Sequence, residues 1–183
     1  TRRRQRSTRL VVAVVLLVAA LAWWGHGQYR DREAAKASET YAAALDTLKQ
    51  GDDAKAFTQF EQAARASSKG YKALALMQQG GIRMGQDKVP EAVALFDKAA
   101  AVAPDPVIGD MARLKSAFAL MDTAPYAAIE ERLKPLTDAK HPYRAAALEA
   151  LAMAKLKAGR TKEARDDFVV LRLLPDAPDS MRQ

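Results

Sequence analysis

Hydrophobic and polar positions follow two different patterns along this chain. Residues Leu10–Trp24 form a run of fifteen apolar residues without a polar interruption. Beyond Tyr29, apolar positions recur at helical spacing, in stretches of about 11 to 20 residues that end at breaks rich in Gly, Pro or Ser. No stretch alternates with a period of two. The pattern therefore predicts an all-α fold.

The apolar run reaches the length of a membrane span once its polar flank is included. As a helix, residues 10–29 rise about 30 Å, which matches the ~30 Å hydrocarbon core of a bilayer. No charged residue lies in this range, and Trp23, Trp24 and Tyr29 would lie at headgroup depth, where aromatic rings are favoured. We therefore predict a transmembrane anchor over residues 10–29 that contacts the lipid bilayer.

A basic segment before the run predicts its orientation. Five arginines precede it: Arg2, Arg3, Arg4, Arg6 and Arg9. Arginines beside a span resist translocation, so we expect residues 1–9 to form a basic cytoplasmic tail and the bulk of the chain to cross the membrane.

A cleaved signal peptide is the alternative interpretation of the same segment. Ala20-Leu21-Ala22 fits the small-x-small pattern of a cleavage site. We favour an uncleaved anchor because the tryptophan pair suits a membrane interface. The chain also begins at Thr1 and not at Met, so we expect further residues upstream.

The basic tail accounts for most of the net charge. Of a formal charge of +7, residues 1–9 carry +5, and the remaining 174 residues contain 24 Lys or Arg against 22 Asp or Glu. An excess of basic residues confined to one flank of the span indicates its orientation in the membrane and not a surface that binds nucleic acid. We therefore predict no nucleic-acid partner. The absence of cysteine excludes disulfides and thiolate metal sites.

A repeat of 36 residues organises the sequence beyond the anchor. Segments 50–64, 86–100 and 158–172 align, with a small residue and an aromatic residue at fixed positions: Ala56 and Phe60, Ala92 and Phe96, Ala164 and Phe168. In the skipped unit Ala128 is in register, but Arg132 followed by Leu133 replaces the aromatic. A spacing of four places each pair on one helix face, where the small residue allows close packing. We predict four helical hairpins over residues 30–175, the third of them degenerate, and a tail over residues 176–183.

Several features predict where helices begin and how the first hairpin is joined to the anchor. Asp52 or Asp53, Asp105 before a proline, and Thr161 are candidate N-caps. No helix breaker separates the anchor from residues 30–49, so we expect one continuous helix through both.

The second helices resemble those of tetratricopeptide repeats. The spacing GxxxxA…F…A in QGDDAKAFTQFEQAA carries the resemblance, and Pro104 in VAPD is similar to the proline that closes such a unit. The predicted fold is therefore one N-terminal transmembrane helix followed by a tetratricopeptide-like α-solenoid of about four hairpins.

The order of segments resembles a more specific family. A basic tail and one apolar segment precede GYKALALMQQGGIRMGQDKVPEAVALFDKAAA, ARLKSAFALMDTAPYAAIEERLKPL and a hairpin ending AGRTKEARDDF. This order is similar to the single-pass, tetratricopeptide-like ancillary subunit of the Sec translocon in Gram-negative bacteria, in its alphaproteobacterial form. Only nine residues of this sequence precede the anchor, fewer than in the cytoplasmic tail usual in that family.

The resemblance implies a location, partners and a role. It implies a bacterial inner-membrane protein with a cytoplasmic N-terminus and a periplasmic repeat domain. It also implies that the chain assists protein export by linking the translocon with periplasmic chaperones or emerging chains. The alternative from another class is a structural accessory subunit of a different inner-membrane complex, such as a respiratory assembly.

No arrangement of residues indicates catalysis. His26 and His141 lie far apart in sequence, and the carboxylates of Glu130-Glu131 and Asp166-Asp167 stand beside arginines, which is typical of a solvated helix face. Gly80-Gly81 and Gly85 lack the GxxxxGK[ST] pattern of a phosphate loop and no predicted strand precedes them, so we interpret them as a loosened helix end. We predict an interaction protein with no enzymatic activity, no cofactor and no metal.

The first helices of the hairpins are expected to line a groove that binds protein partners. If the tetratricopeptide register holds, six residues point toward it: Tyr41, Leu45, Met77, Arg113, Glu149 and Met153. The competing interpretation of Tyr41, Leu45 and the methionines is that they belong to the core between hairpins.

Overall fold

The computed structural model describes residues 2–65 and 68–174, without the side chains of residues 2–15 and 30. Over this range every regular element is helical. The elements are α1 (Arg2–Lys49), α2 (Asp53–Ala64), α3 (Lys69–Gly85), α4 (Val89–Val102), α5 (Pro106–Leu120), α6 (Tyr126–Leu133), a short 3-10 helix (Lys134–Thr137), α7 (Arg144–Lys157) and α8 (Thr161–Arg172). The prediction of an all-α repeat fold is confirmed. The predicted tail over residues 176–183 lies outside the described residues.

Two of the predicted N-caps form, and a third does not. Asp52 accepts a hydrogen bond from the backbone N–H of Lys55 at 3.1 Å, and Asp105 accepts one from Ile108 at 3.0 Å. The prediction that Thr161 caps α8 is wrong. Thr161 is the first helical residue, and the preceding Arg160 forms an ion pair with Glu163.

The first helix continues from the N-terminal segment into the first hairpin, as expected. The α1 helix has no break from Arg2 to Lys49. Its last part packs against α2 and α3 through a face on which Ala37 and Ala44 are buried, seven residues apart and two helical turns along the same stripe. The first hairpin is therefore formed by the C-terminal part of α1 together with α2.

Four hairpins stack in sequence order and enclose three apolar cores. Second helices contact the first helix of the next hairpin, and successive first helices α1, α3, α5 and α7 also contact each other. The first core is built around Phe60, the second around Phe96, and the third around Ile129, Leu133 and Leu136. Burial is thus spread along the stack, as expected of a solenoid whose units contact only their neighbours.

The third hairpin departs from the others, as the degenerate repeat predicts. Helix α6 has only eight residues and continues as a 3-10 turn that contains Pro135. Leu133 and Leu136 are fully buried in the third core. In this hairpin the core is therefore filled by leucines that follow position 132, which is the position occupied by an aromatic residue in the other repeats.

Two glycines that we expected at a loosened helix end lie inside a regular helix. Gly80 and Gly81 belong to α3, which extends to Gly85. The interpretation of a helix end is therefore wrong for Gly80 and Gly81, whereas Gly85 is the last residue of α3.

None of the helices in the described part of the chain is long and apolar enough to cross a membrane. Side chains of residues 10–15 within the predicted anchor, and those of Arg2, Arg3, Arg4, Arg6 and Arg9, lie outside the described residues.

Candidate functional site at the junction of the second and third hairpins

In every hairpin a small residue on the first helix lies sixteen positions before the repeat position that is aromatic in three of the four second helices, and in the first three hairpins the two residues share a core or touch. These pairs are separated by sixteen residues and recur every 36: Ala44 and Phe60, Gly80 and Phe96, Ser116 and Arg132, Ala152 and Phe168. All four small residues are buried. The third pair is the exception in chemistry, because both of its members are polar.

Ser116 and Arg132 form a hydrogen bond where the first two hairpins pack a phenylalanine ring. Arg132 Nε donates to Ser116 Oγ at 3.1 Å, and Arg132 Nη1 donates to the backbone carbonyl of Ala128 at 3.1 Å. Ser116 is fully buried. These hydrogen bonds hold the guanidinium of Arg132 in one orientation. The interpretation of this residue as part of a solvated face is wrong.

Asp97 on the second hairpin joins this pair. Ser116 Oγ donates to Asp97 Oδ1 at 2.5 Å, and Arg132 Nη2 donates to Asp97 Oδ2 at 3.2 Å. Both carboxylate oxygens are engaged, and α4, α5 and α6 meet at one polar cluster. We call Asp97, Ser116 and Arg132 the junction cluster.

A surface cleft of about 420 Å³ lies beside the junction cluster. Besides Asp97 and Arg132, its walls carry Arg113 of α5, Glu131 and Pro135, together with Ala100 and Ala101 of α4. Arg113 also forms an ion pair with Asp110 at 3.4 Å. The cleft presents side chains of both charges around an apolar floor, which suits a polypeptide segment better than a single charged small molecule.

A buried carboxylate fixes the connection to the fourth hairpin. Asp110 on α5 is fully buried, and its Oδ2 lies 2.6 Å from Nδ1 of His141, in the segment between the 3-10 helix and α7. Asp110 Oδ1 accepts from Arg113 Nη1 at 3.4 Å. This histidine therefore has a structural partner.

A second charged cluster joins the third and fourth hairpins. Lys155 Nζ on α7 donates to Asp167 Oδ2 on α8 at 2.5 Å, and this hydrogen bond raises the pKa of Lys155. Burial, and then the hydrogen bond that the Tyr126 hydroxyl donates to Glu130, raise the pKa of Tyr126. The hydrogen bond of Lys155 joins α7 to α8, and the guanidinium of Arg160 lies 4.4 Å from the centroid of the Tyr126 ring, which links the fourth hairpin to α6.

The residues expected to line one groove lie in different environments. Met77 is buried in the second core. The Tyr41 ring packs 5.5 Å from Phe60 between centroids, and the Tyr41 hydroxyl accepts a hydrogen bond from Gln78 at 3.0 Å. Leu45 packs against the first core. These three side chains therefore serve packing, as the competing interpretation held.

The other three groove residues remain accessible. Arg113 lines the cleft between α4 and α6, Glu149 is half-buried on α7, and Met153 is exposed on the same helix. Arg113 therefore faces second helices, and the six residues do not form one continuous surface.

The repeat residues are buried to different degrees. Ala56, Phe60, Ala92, Phe96 and Ala164 are almost completely buried, whereas Ala128 and Phe168 are half-buried. The junction cluster and the small residue of each pair were missed from the sequence. Extending the 36-residue alignment sixteen residues upstream, to positions 44, 80, 116 and 152, would have revealed the small residues.

The described residues contain no group of three or more His, Cys, Asp or Glu placed to hold a metal ion.

Comparisons with known proteins agree with this architecture. A family model described as a tetratricopeptide repeat-like domain matches residues 5–170. No curated protein matches the chain.

Solved structures share the fold at low sequence identity. A MamA RS-1 ArsTM double mutant is similar with a TM-score of 0.61 and 20% identity, over 81% of this chain and 80% of that one. A Podospora anserina protein of nearly identical TPR-like repeats is similar with a TM-score of 0.60 and 18% identity, over 75% and 74% of the two chains. A variant of that protein with one substitution has a TM-score of 0.59 at 19% identity, over 75% and 73%. At these identities the likeness concerns the fold.

Proposed function

The chain belongs to the tetratricopeptide repeat-like family, and from this premise we propose that it is a membrane-tethered protein-interaction module that assists protein export. Stacked helical hairpins offer extended surfaces for protein partners. In this proposal residues 10–29 anchor the chain in the bacterial inner membrane with residues 1–9 in the cytoplasm. The repeat domain in the periplasm links the Sec translocon with periplasmic chaperones or emerging chains.

A band of exposed apolar side chains on α1 is the observation that carries the proposal. All described side chains from Leu16 to Tyr29 are exposed. Leu17 is 61% exposed and Trp23 85% exposed. Apolar surface gains about 25 cal/mol per Å² on leaving water, and a contiguous band of this kind typically marks a membrane or protein contact. An anchor would remove this surface from water.

The continuity of α1 supports a short and stiff tether. The helix passes from the exposed band into the first hairpin without a break. Residues 30–49 rise about 30 Å at 1.5 Å per residue. A partner bound to the repeats would therefore stay within a few nanometres of the membrane complex that surrounds the anchor.

Site-specific crosslinking in native bacterial membranes tests the proposal. A photoreactive residue replaces Leu17 or Trp23 in the full chain, and crosslinked proteins are identified. We expect adducts with translocon subunits from these positions. The matched control is the exposed apolar residue Val107 on α5, which lies in the repeat domain and should give no adduct within the membrane.

Two outcomes would contradict the proposal. Exclusive recovery of an oxidase or a reductase would instead support the structural accessory subunit of a respiratory assembly. Release of the repeat domain into the soluble periplasmic extract, with a new N-terminus at Trp23, would show that the segment is a cleaved signal.

A further inference from the structure

The last hairpin carries an apolar slot on its outer side. The slot has a volume of about 330 Å³ and lies between the end of α7 and α8. We call it the end slot, and it is lined by Leu156, Thr161, Ala164, Arg165, Phe168, Val169 and Arg172.

Every residue of the end slot has a counterpart two repeats earlier, at a distance of 72 residues. The counterparts are Met84, Val89, Ala92, Val93, Phe96, Asp97 and Ala100. Six of the seven belong to the second core or pack against it, and Asp97 bonds to Ser116 of α5. In the second hairpin this slot is covered by α5, which contributes Ala112 and Ala119 to the same core. The end slot therefore corresponds to the surface on which the first helix of a following hairpin packs.

The end slot keeps its apolar character although no described helix covers it. Phe96 is 3% exposed beneath α5, whereas its counterpart Phe168 is only half-buried. Leu156 is 51% exposed and Val169 is 53% exposed. A terminal repeat that ends a solenoid normally has a polar outer face. The apolar residues of the end slot instead favour the packing of another helix against the fourth hairpin.

Two arginines distinguish the end slot from its internal counterpart. Arg165 replaces Val93 and Arg172 replaces Ala100. They are seven residues apart, on one side of α8, and both are exposed. Neither forms an ion pair within the described part of the chain. Their positive charge is complementary to carboxylates on an incoming helix.

We propose that the end slot binds an amphipathic helix of a partner protein, which stacks there as α5 stacks on the second hairpin. The partner helix presents small apolar side chains at helical spacing and carries acidic residues opposite Arg165 and Arg172. A second copy of the chain fits less well. A symmetric pairing of two end slots would bring the four arginines together, and like charges across an interface are unfavourable.

The counterpart contact indicates where a carboxylate should lie. A Cβ atom built at Gly109 of α5 would lie 3.5 Å from Cβ of Ala103 and 3.9 Å from the backbone oxygen of Ala100. Since Arg172 stands where Ala100 does, an acidic residue at the Gly109 position of a docked helix would approach Arg172.

Two synthetic peptides with the α5 sequence, PVIGDMARLKSAFAL, test this directly. The acidic peptide carries Gly109→Glu and the basic peptide carries Gly109→Lys. Each is labelled with fluorescein and titrated with the full chain in detergent micelles, and its anisotropy is measured. We expect the acidic peptide to bind at least tenfold more tightly than the basic peptide. Arg172→Glu should reverse this order.

Variants of the chain separate the slot from the rest of the surface. Leu156→Glu should weaken binding of the acidic peptide at least tenfold, because it places a charge in the slot. Val107→Glu is the matched control, since Val107 is also 51% exposed but lies on α5, and it should leave binding unchanged.

Several results would overturn the proposal. One is no saturable binding of either peptide; another is binding that Leu156→Glu and Arg172→Glu leave unchanged. Self-association of the chain that Leu156→Glu abolishes would assign the slot to a second copy. Binding that appears only after removal of residues 175–183 would assign it to the chain's own terminal residues. None of these results depends on the anchor or on the translocon.

Discussion

The ring of Phe96 on α4 fills the space that a side chain at Gly80 on α3 would need. A Cβ atom built on Gly80 would lie 2.5 Å from Cε1 of Phe96 and within 2.9 Å of two further ring carbons. Carbon atoms do not approach this closely without displacement. The glycine therefore lets two helices of one hairpin pack around a large ring, and its conformational freedom is not required there.

Gly80→Ala should destabilise the fold by about 1–3 kcal/mol, because the added methyl group overpacks the second core. Gly81→Ala is the matched control. A Cβ at Gly81 meets nothing within 4 Å, so alanine should stabilise the helix by up to about 1 kcal/mol through its higher helix propensity. Urea unfolding of the full chain in detergent, followed by circular dichroism, measures both. Equal effects of the two substitutions would contradict the close contact.

The helical repeat could be predicted from the sequence because it depends on spacing. Ala56 and Phe60 lie on adjacent turns of one helix, and the pair recurs at a period of 36. A regular spacing of this kind can be read directly from the sequence. The degenerate third unit was visible for the same reason, because Arg132 breaks the pattern.

Contacts between helices could not be predicted in the same way. The partner of Phe96 lies sixteen residues away on another helix, and glycine alone does not indicate that a ring covers it. The structure also shows that Arg132 binds Ser116 and Asp97, so that residues from three different helices form one cluster. Charged residues on an amphipathic helix look alike in sequence whether water or another hairpin faces them.

Arg132→Met should destabilise the fold by about 1–2 kcal/mol, because it removes hydrogen bonds to Ser116 and Asp97 at once. In a double-mutant cycle with Asp97→Ala, we expect a coupling energy of about 0.5–1 kcal/mol, since both side chains are partly exposed.

The exposed pair Glu61 and Arg65 on α2 provides the control cycle. Its members are 51% and 74% exposed, so its coupling should be about 0.3–0.5 kcal/mol at most. A coupling between Asp97 and Arg132 no larger than this would show that the junction cluster does not hold the two hairpins together.

Lys155→Met should destabilise the packing of α7 on α8 by about 1 kcal/mol near pH 8. The hydrogen bond to Asp167 raises the pKa of Lys155 in the folded chain, so the contribution is complete below the unfolded pKa of about 10.4 and is lost as the pH rises through the folded pKa. The difference between wild type and variant should therefore vanish at strongly alkaline pH. Unfolding by urea near neutral pH and at strongly alkaline pH measures it. The same substitution at exposed Lys162 should show no such change, and a difference that persists at high pH would refute the ion pair.

The buried carboxylate of Asp110 gives the last prediction. His141→Ala removes the partner 2.6 Å away and leaves only the longer contact to Arg113, so the fold should lose about 2 kcal/mol. Replacing both partners should cost much less, because apolar side chains of similar volume often substitute for a buried pair without loss.

The repeat indicates which apolar residue should replace Asp110. Leu74 stands 36 residues before Asp110 and packs against the second core. The double variant Asp110→Leu with His141→Leu should therefore be within about 1 kcal/mol of wild type, and clearly more stable than His141→Ala. If the double variant is less stable than His141→Ala, the contact between Asp110 and His141 stabilises the fold more than an apolar contact at the same place would. The connection from the short α6 to α7 then depends on this polar contact to keep the fourth hairpin in the stack.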